Sequence, residues 1–284
     1  MIRTSKQLKD KVRNVSKGNN EIAKFLIRTF MMERFLERIS LSKYRDNFVL
    51  KGGLLVASIV GIDMRATMDI DTTVCSLPLN VSDAVSIVSE ICVQPVDDNV
   101  IFDIKSVASI REEFDYPGIR IMLEARLDKM RQPIKLDIST GDVITPFAIE
   151  YEYKLMFSDR KIFLLSYNVE TLLAEKLQTI LSRGIANTRM RDFYDVYEIS
   201  VIDKDKFDSE LLYHAFCATC KKRMTTITPE EIEEVLFKIR KDESMENAWE
   251  HFRLKNYFVG SLQWNAVLCE LGQMLGKILS YEIV

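Results

Sequence analysis

No apolar run in this 284-residue sequence approaches the roughly 20 residues of a membrane-spanning helix, which excludes a helical membrane protein. The opening Met1-Ile2-Arg3-Thr4-Ser5-Lys6 lacks the apolar stretch of a secretory signal. There are only two histidines, His214 and His251, far apart and in no metal-ligand pattern. The five cysteines are an odd number, which argues against a disulfide framework and predicts reduced thiols in a cytoplasmic protein. Cys217 and Cys220 form a Cys-x-x-Cys, but no second Cys or His pair stands at zinc-ligand spacing, so the pair reads as structural. Internal repeats and low-complexity tracts are absent. What is present, 47% hydrophobic and 29% charged residues, belongs to a folded protein of one large or two ordinary domains.

The net charge of -3 conceals an asymmetry. Residues 1–50 carry 12 Lys/Arg against 5 Asp/Glu, leaving 27 against 37 for the remainder. A basic segment beside an acidic body is an electrostatic footprint for RNA, and the alternative is a solvated helical surface. Arg28, Arg34 and Arg38 are the residues expected to carry that footprint, on an amphipathic helix over residues 20–40 capped by Asn19-Asn20.

The most informative pattern is Thr67-Met68-Asp69-Ile70-Asp71 downstream of Gly52-Gly53. In a strand Asp69 and Asp71 share one face, with Met68 and Ile70 on the other. Side-by-side carboxylates repel unless a cation lies between them, and the ion that suits such a pair is Mg²⁺, completed by substrate phosphates. The glycine pair lets backbone approach those phosphates closely. Around it the order is strand (Phe48-Val49-Leu50), glycine turn, short helix (Leu54–Val60, stopped by Gly61), then the carboxylate strand over residues 66–74. A helix from Ser82 to Ile91 and a strand from Val100 to Ile110 follow. Arg120–Leu127 and Ile134–Ile138 read as paired strands joined by a turn containing Pro133, the second carrying a third acid, Asp137. Beyond residue 165 the strand signal fades: Asn168 or Thr171 caps a helix to Leu181, another starts near Arg189, Thr228-Pro229-Glu230-Glu231 opens a third, and helices continue to the end.

Two of these helices carry charge on apolar stripes. Lys176 shares a face with Leu173, Leu177 and Ile180, while Asp192 and Asp195 precede Val196 and Ile199 in the same rhythm. A shared site explains this, and a buried helix-to-helix salt bridge is the alternative. Leu50-Lys51-Gly52-Gly53 with Arg65-Ala66-Thr67-Met68-Asp69-Ile70-Asp71 resembles the first motif of the AbiEii-type nucleotidyltransferases of the polymerase-β superfamily. Leu173-Ala174-Glu175-Lys176-Leu177 resembles their third motif, and Arg189-Met190-Arg191-Asp192-Phe193-Tyr194-Asp195 the fourth. Two departures are visible: Leu54 replaces the small hydroxyl residue that follows the glycines, and Arg191 the lysine of the fourth motif.

The resemblance implies an α+β fold. A polymerase-β-like head with a mixed β-sheet and flanking helices would occupy residues 1–165, and a mostly helical C-terminal domain residues 166–284 would complete the cleft. It implies that Asp69 and Asp71 hold Mg²⁺ against a nucleoside triphosphate, with Asp137 as third metal ligand or as base. Lys176 would grip the phosphates, Asp192 would orient Lys176 or bind the acceptor, and Asp195 would support it. Lys51, Gly52, Gly53, Arg65, Thr67, Arg189 and Arg191 would bind the nucleotide. The implied acceptor is an RNA, the tRNA 3′ end first, in a toxin–antitoxin or phage-defence setting with an antitoxin encoded nearby. The rivals are a small-molecule nucleotidyltransferase of the aminoglycoside-modifying kind and a non-catalytic module that binds a nucleotide or antitoxin.

Overall fold

A computed structural model describes residues 1–61, 65–77, 80–110, 118–202 and 207–281. Among the described residues seven strands are formed: β1 (Phe48–Lys51), β2 (Asp69–Val74), β3 (Ile101–Ile110), β4 (Gly118–Leu127), β5 (Met130–Thr140), β6 (Ile149–Lys154) and β7 (Lys161–Ser166). They make one mixed sheet in the order β3-β4-β5-β2-β1-β7-β6. β2 runs parallel to β5 and β1 parallel to β7; the other neighbours are antiparallel. The helices are α1 (Ser5–Ser16), α2 (Asn20–Leu41), α3 (Gly52–Val60), α4 (Val81–Cys92), α5 (Val169–Arg183), α6 (Met190–Ile202), α7 (Ser209–Lys222), α8 (Pro229–Lys241), α9 (Glu243–Lys255) and α10 (Trp264–Leu279).

The chain divides into two compact units. The first, residues 1–58, 66–142 and 149–166, holds the whole sheet with α1, α2 and α4. The second is helical and runs from Tyr167 onward, but it also takes in Ile59–Arg65 and Val143–Ala148, two segments inside the span read from sequence as the head. No helix among the described residues is long and apolar enough to cross a membrane.

Local chemistry accounts for the element ends. Asn19 caps α2 by accepting from the amides of Glu21 and Ile22, and Asn168 caps α5 by accepting from Thr171. Thr228 and Glu231 form a reciprocal capping box on α8 with Pro229 in its first turn. Three elements have no counterpart in the sequence reading. α1 is announced only by the Thr4–Gln7 capping box and the buried pair Leu8 and Val12. β6 is an edge strand of mixed polarity, Ile-Glu-Tyr-Glu-Tyr-Lys, and β7 gains its partners from β1 across more than 100 residues of chain. Two local expectations are corrected. The β4–β5 hairpin turns at Asp128, with φ of 53°, and Pro133 lies within β5. Proline is tolerated there because β2 pairs with β5 only from Lys135 onward, so Pro133 has a strand on one side alone. Met68 precedes β2 and is exposed rather than packed beside Ile70. The expectation of helix to the chain end lies, for residues 282–284, outside the described residues.

The basic face expected on α2 is overturned. Every residue from Thr29 to Ile39 is buried, charged ones included, because this helix runs through the core of the first unit. Arg38 forks onto Asp98 at 2.8 and 2.9 Å and donates to the Val100 carbonyl at 2.7 Å. Arg34 pairs with Glu37 at 2.7 Å, and Arg28 donates to the Met68 sulfur. Arg34 and Arg38 thus satisfy buried carboxylates, while Arg28 is half-buried against Met68, so the three do not form the expected cationic face.

Glu33 is the exception to this pairing. Its carboxylate accepts from the Met156 amide at 2.9 Å and from the Tyr153 hydroxyl at 3.4 Å, with Arg34 3.8 Å away. Complete burial outweighs these contacts and pushes its pKa up to about 8. In the unfolded chain Glu33 loses its proton near the ordinary 4.5, so charging it costs folded-state stability progressively from about pH 5 to pH 8. We expect Glu33→Gln to remove that slope and to stabilise the protein at pH 8 by on the order of a few kcal/mol. Thermal melts of parent and variant across this range check it, and parallel pH profiles would contradict it.

Candidate active site

Strand register builds the first cluster. β2 sets Asp69 opposite Lys135 and Asp71 opposite Asp137 on β5, while β4 sets Arg120 opposite Asp137 and β1 sets Lys51 opposite Asp71. Cross-strand partners share a face, so all six side chains rise from one side of the sheet. Ile70, Leu136 and Ile121 alternate to the other side and are fully buried, which fixes the register. Asp69, Asp71 and Asp137 each present an oxygen, all within 4.8 Å of one another.

Like charges this close need compensation. The Lys135 ammonium pairs with Asp69 and stands 3.9 Å from Asp137. Arg120 grips Asp137 through both oxygens, Nε and Nη2 each at 2.8 Å. Lys51 pairs with Asp142, whose carboxylate also accepts from the Ser139 hydroxyl at 2.6 Å. Burial, then the charges of Asp69 and Asp137, hold the Asp71 carboxyl above its usual range, against the pull of Lys51 and the Gly53 amide. The glycine pair is shaped around this carboxylate. Gly52 has a φ of +62°, and a Cβ there would stand 2.8 Å from the Asp71 Cγ, so both conformation and space demand glycine. The Gly53 amide points to Asp71 at 3.4 Å. Three convergent carboxylate oxygens with no soft ligand form a donor set that fits a hard divalent cation such as Mg²⁺. Thr67 is buried just ahead of this strand and donates to the Asp69 carbonyl at 3.4 Å.

A second charged cluster lies within the helical unit. Lys176 on α5 reaches Asp195 at 2.6 Å and Asp192 at 3.2 Å on α6. Arg65 forks onto Asp195 with two 3.0 Å bonds, and Arg189 lies 2.8 Å from Asp192. Burial alone would raise the Asp195 pKa, but the Arg65 and Lys176 charges override it and hold the carboxyl at about 2. The same two aspartates outweigh the burial penalty on Lys176 and raise its pKa. Arg191 sits half-buried in the first turn of α6. The structure thus gathers Asp69, Asp71 and Asp137 in one unit, near Lys51, Gly52 and Gly53, and Arg65, Lys176, Asp192, Asp195 and Arg189 in the other. Sequence reasoning missed Lys135, Arg120 and Asp142. Lys135 could have been found two residues before Asp137 on the same strand face; Arg120 needs the β4–β5 register, and Asp142 needs the turn that follows β5.

The family model described as nucleotidyl transferase AbiEii toxin, type IV toxin–antitoxin system, matches residues 34–268. The chain belongs to this family. It is a nucleotidyltransferase, and membership implies a nucleoside triphosphate substrate and an antitoxin partner. A solved structure from H. pylori, described as a candidate nucleotidyltransferase, is similar over 91% of this chain and 96% of that one, at 16% identity and a TM-score of 0.50. JHP933 from Helicobacter pylori is similar over 91% and 93%, at 16% identity and a TM-score of 0.52. At these identities the likeness establishes a common fold. No curated protein matches the chain.

The AbiEii cluster on α5 and α6 yields a test. Lys176→Ala leaves Asp192 and Asp195 buried with one cation fewer, so it should cost on the order of 3 kcal/mol of stability. Arg65 tempers the loss at Asp195. Chemical denaturation measures it. Unchanged stability would mean that the ion pairs contribute nothing net to this unit.

Proposed function

We propose that this chain transfers a nucleoside monophosphate from a Mg²⁺-bound triphosphate to a hydroxyl of an RNA, with the tRNA 3′ end first among acceptors. In this reading the transfer is the toxic activity of a toxin–antitoxin pair acting in phage defence, and the antitoxin is encoded nearby. The observation that carries it is the convergence of Asp69, Asp71 and Asp137 beside a glycine turn that only glycine can make. Asp69 and Asp71 hold the metal, and Asp137, kept in one orientation by the Arg120 fork, completes the set. When bound, the ion would neutralise charge on the departing pyrophosphate. Lys51, Gly52, Gly53 and Thr67 line the approach of the triphosphate. On the motif resemblance, Lys176, Arg65, Arg189 and Arg191 act on the phosphates, with Asp192 and Asp195 orienting them.

Burial of Arg34 and Arg38 moves the RNA footprint to α1 and its C-cap, where Lys6, Lys9, Lys11 and Lys17 are exposed. The same burial favours, as second reading, a small-molecule acceptor that needs no basic surface. The intact carboxylates weigh against a non-catalytic binding module.

Incubation with each labelled triphosphate, Mg²⁺ and total cellular RNA should label RNA, and label that resists ribonuclease would reject the RNA acceptor. Asp69→Asn and Asp71→Asn should each lower transfer at least about a hundredfold. Asp71→Asn should melt at or above the parent temperature without metal, because it relieves a like-charge cluster. Activity near the parent level in either variant would remove the carboxylates from the mechanism.

A further inference from the structure

We propose that Lys135 is a resident counter-cation of the carboxylate cluster, displaced from Asp69 by the divalent metal and then taken up by the triphosphate. This rests on the proposed reading of Asp69, Asp71 and Asp137 as a metal and triphosphate site. Two cations stand among the three carboxylates, and they differ in kind. Arg120 is a planar fork with both bonds to Asp137 made, so it stays with that side chain. Lys135 is a single rotatable ammonium on a flexible stem, its side chain 29% exposed, paired with Asp69 and 3.9 Å from Asp137. It holds positive charge where the metal must bind. The ammonium and a divalent ion cannot both sit on the Asp69 carboxylate without repelling each other, so one replaces the other. The displaced ammonium remains on the same sheet face, where phosphate oxygens arriving with the metal offer it a new anionic partner.

The exchange gives two effects of opposite sign from one residue. Removing the charge should tighten metal binding in the absence of nucleotide and weaken binding of the triphosphate. A structural salt bridge would do neither, and a group that merely supports a metal ligand would weaken metal binding when lost.

The test uses the full chain and Mn²⁺, with free metal read by electron paramagnetic resonance, then a triphosphate analogue with a non-cleavable α,β linkage by calorimetry. Lys135→Met should bind Mn²⁺ on the order of tenfold more tightly and the analogue on the order of tenfold more weakly than the parent, while Lys135→Arg keeps the weaker metal binding. A second measurement needs no variant. Acetylation of Lys135, followed by mass spectrometry of the parent protein, should rise when Mg²⁺ alone is added and fall when the analogue is added as well. Unchanged or weaker Mn²⁺ binding by Lys135→Met, or acetylation indifferent to Mg²⁺, would overturn the proposal. If the parent binds no Mn²⁺, or Asp71→Asn binds it as the parent does, the metal reading fails and the proposal with it. Mn²⁺ held through Asp71 at equal affinity in parent and Lys135→Met sinks the proposal alone.

Discussion

Three carboxylates on adjacent strands cannot share a sheet face without positive charge among them, and much of the first unit is arranged around that constraint. The central position of β2, between β1 and β5, places Asp69 and Asp71 where both neighbours can supply cations. Lys135 and Arg120 answer Asp69 and Asp137 directly. Asp71, beside the glycine turn, feels the charge of Lys51, which is itself paired with Asp142, and one long amide contact. Burial and the neighbouring carboxylates hold its carboxyl above the usual range. A site built this way is charged unevenly, and the deficit falls at Asp71, beside the glycine turn.

The same economy of charge runs through α2. A helix surrounded by core would ordinarily be apolar all round, yet this one buries Glu33, Arg34, Glu37 and Arg38. Arg38 ties α2 to the segment before β3, and Glu33 ties it to the turn between β6 and β7. The helix is therefore joined by directional bonds to both ends of the sheet order, a more specific fastening than hydrophobic contact alone provides. Removing Asp98 or Glu37 would strand the buried charge of Arg38 or Arg34, which makes these pairs demanding as well as specific.

Much of this was legible in sequence where a signal is local. Asn19, Asn168 and Thr228 name helix starts because capping is settled within three residues. The alternation of Asp69, Ile70 and Asp71 names a strand face because side chains alternate regardless of what the strand pairs with. Pairing itself was not legible. Arg120 meets Asp137 only through a hairpin whose turn was misplaced at Pro133, and Lys135 meets Asp69 only through the parallel β2–β5 register. The arginines of α2 were misread for a related reason: an amphipathic pattern states which residues are charged, and burial depends on how many neighbours arrive from elsewhere in the chain. At Lys176 both readings drawn from the sequence predicted proximity to Asp192 and Asp195, and that proximity is present.

The threading of the chain limits how such a protein can be reassorted. Because Ile59–Arg65 and Val143–Ala148 belong to the helical unit, that unit is not a tail that recombination could exchange at residue 166. A chimera joined there would bring Asp195 from one parent and Arg65 from the other, and one mismatched residue would leave a fully buried carboxylate short of its fork. The two units are thus bound to be inherited together, and divergence in either must keep step with the short segments that the other's sequence encloses.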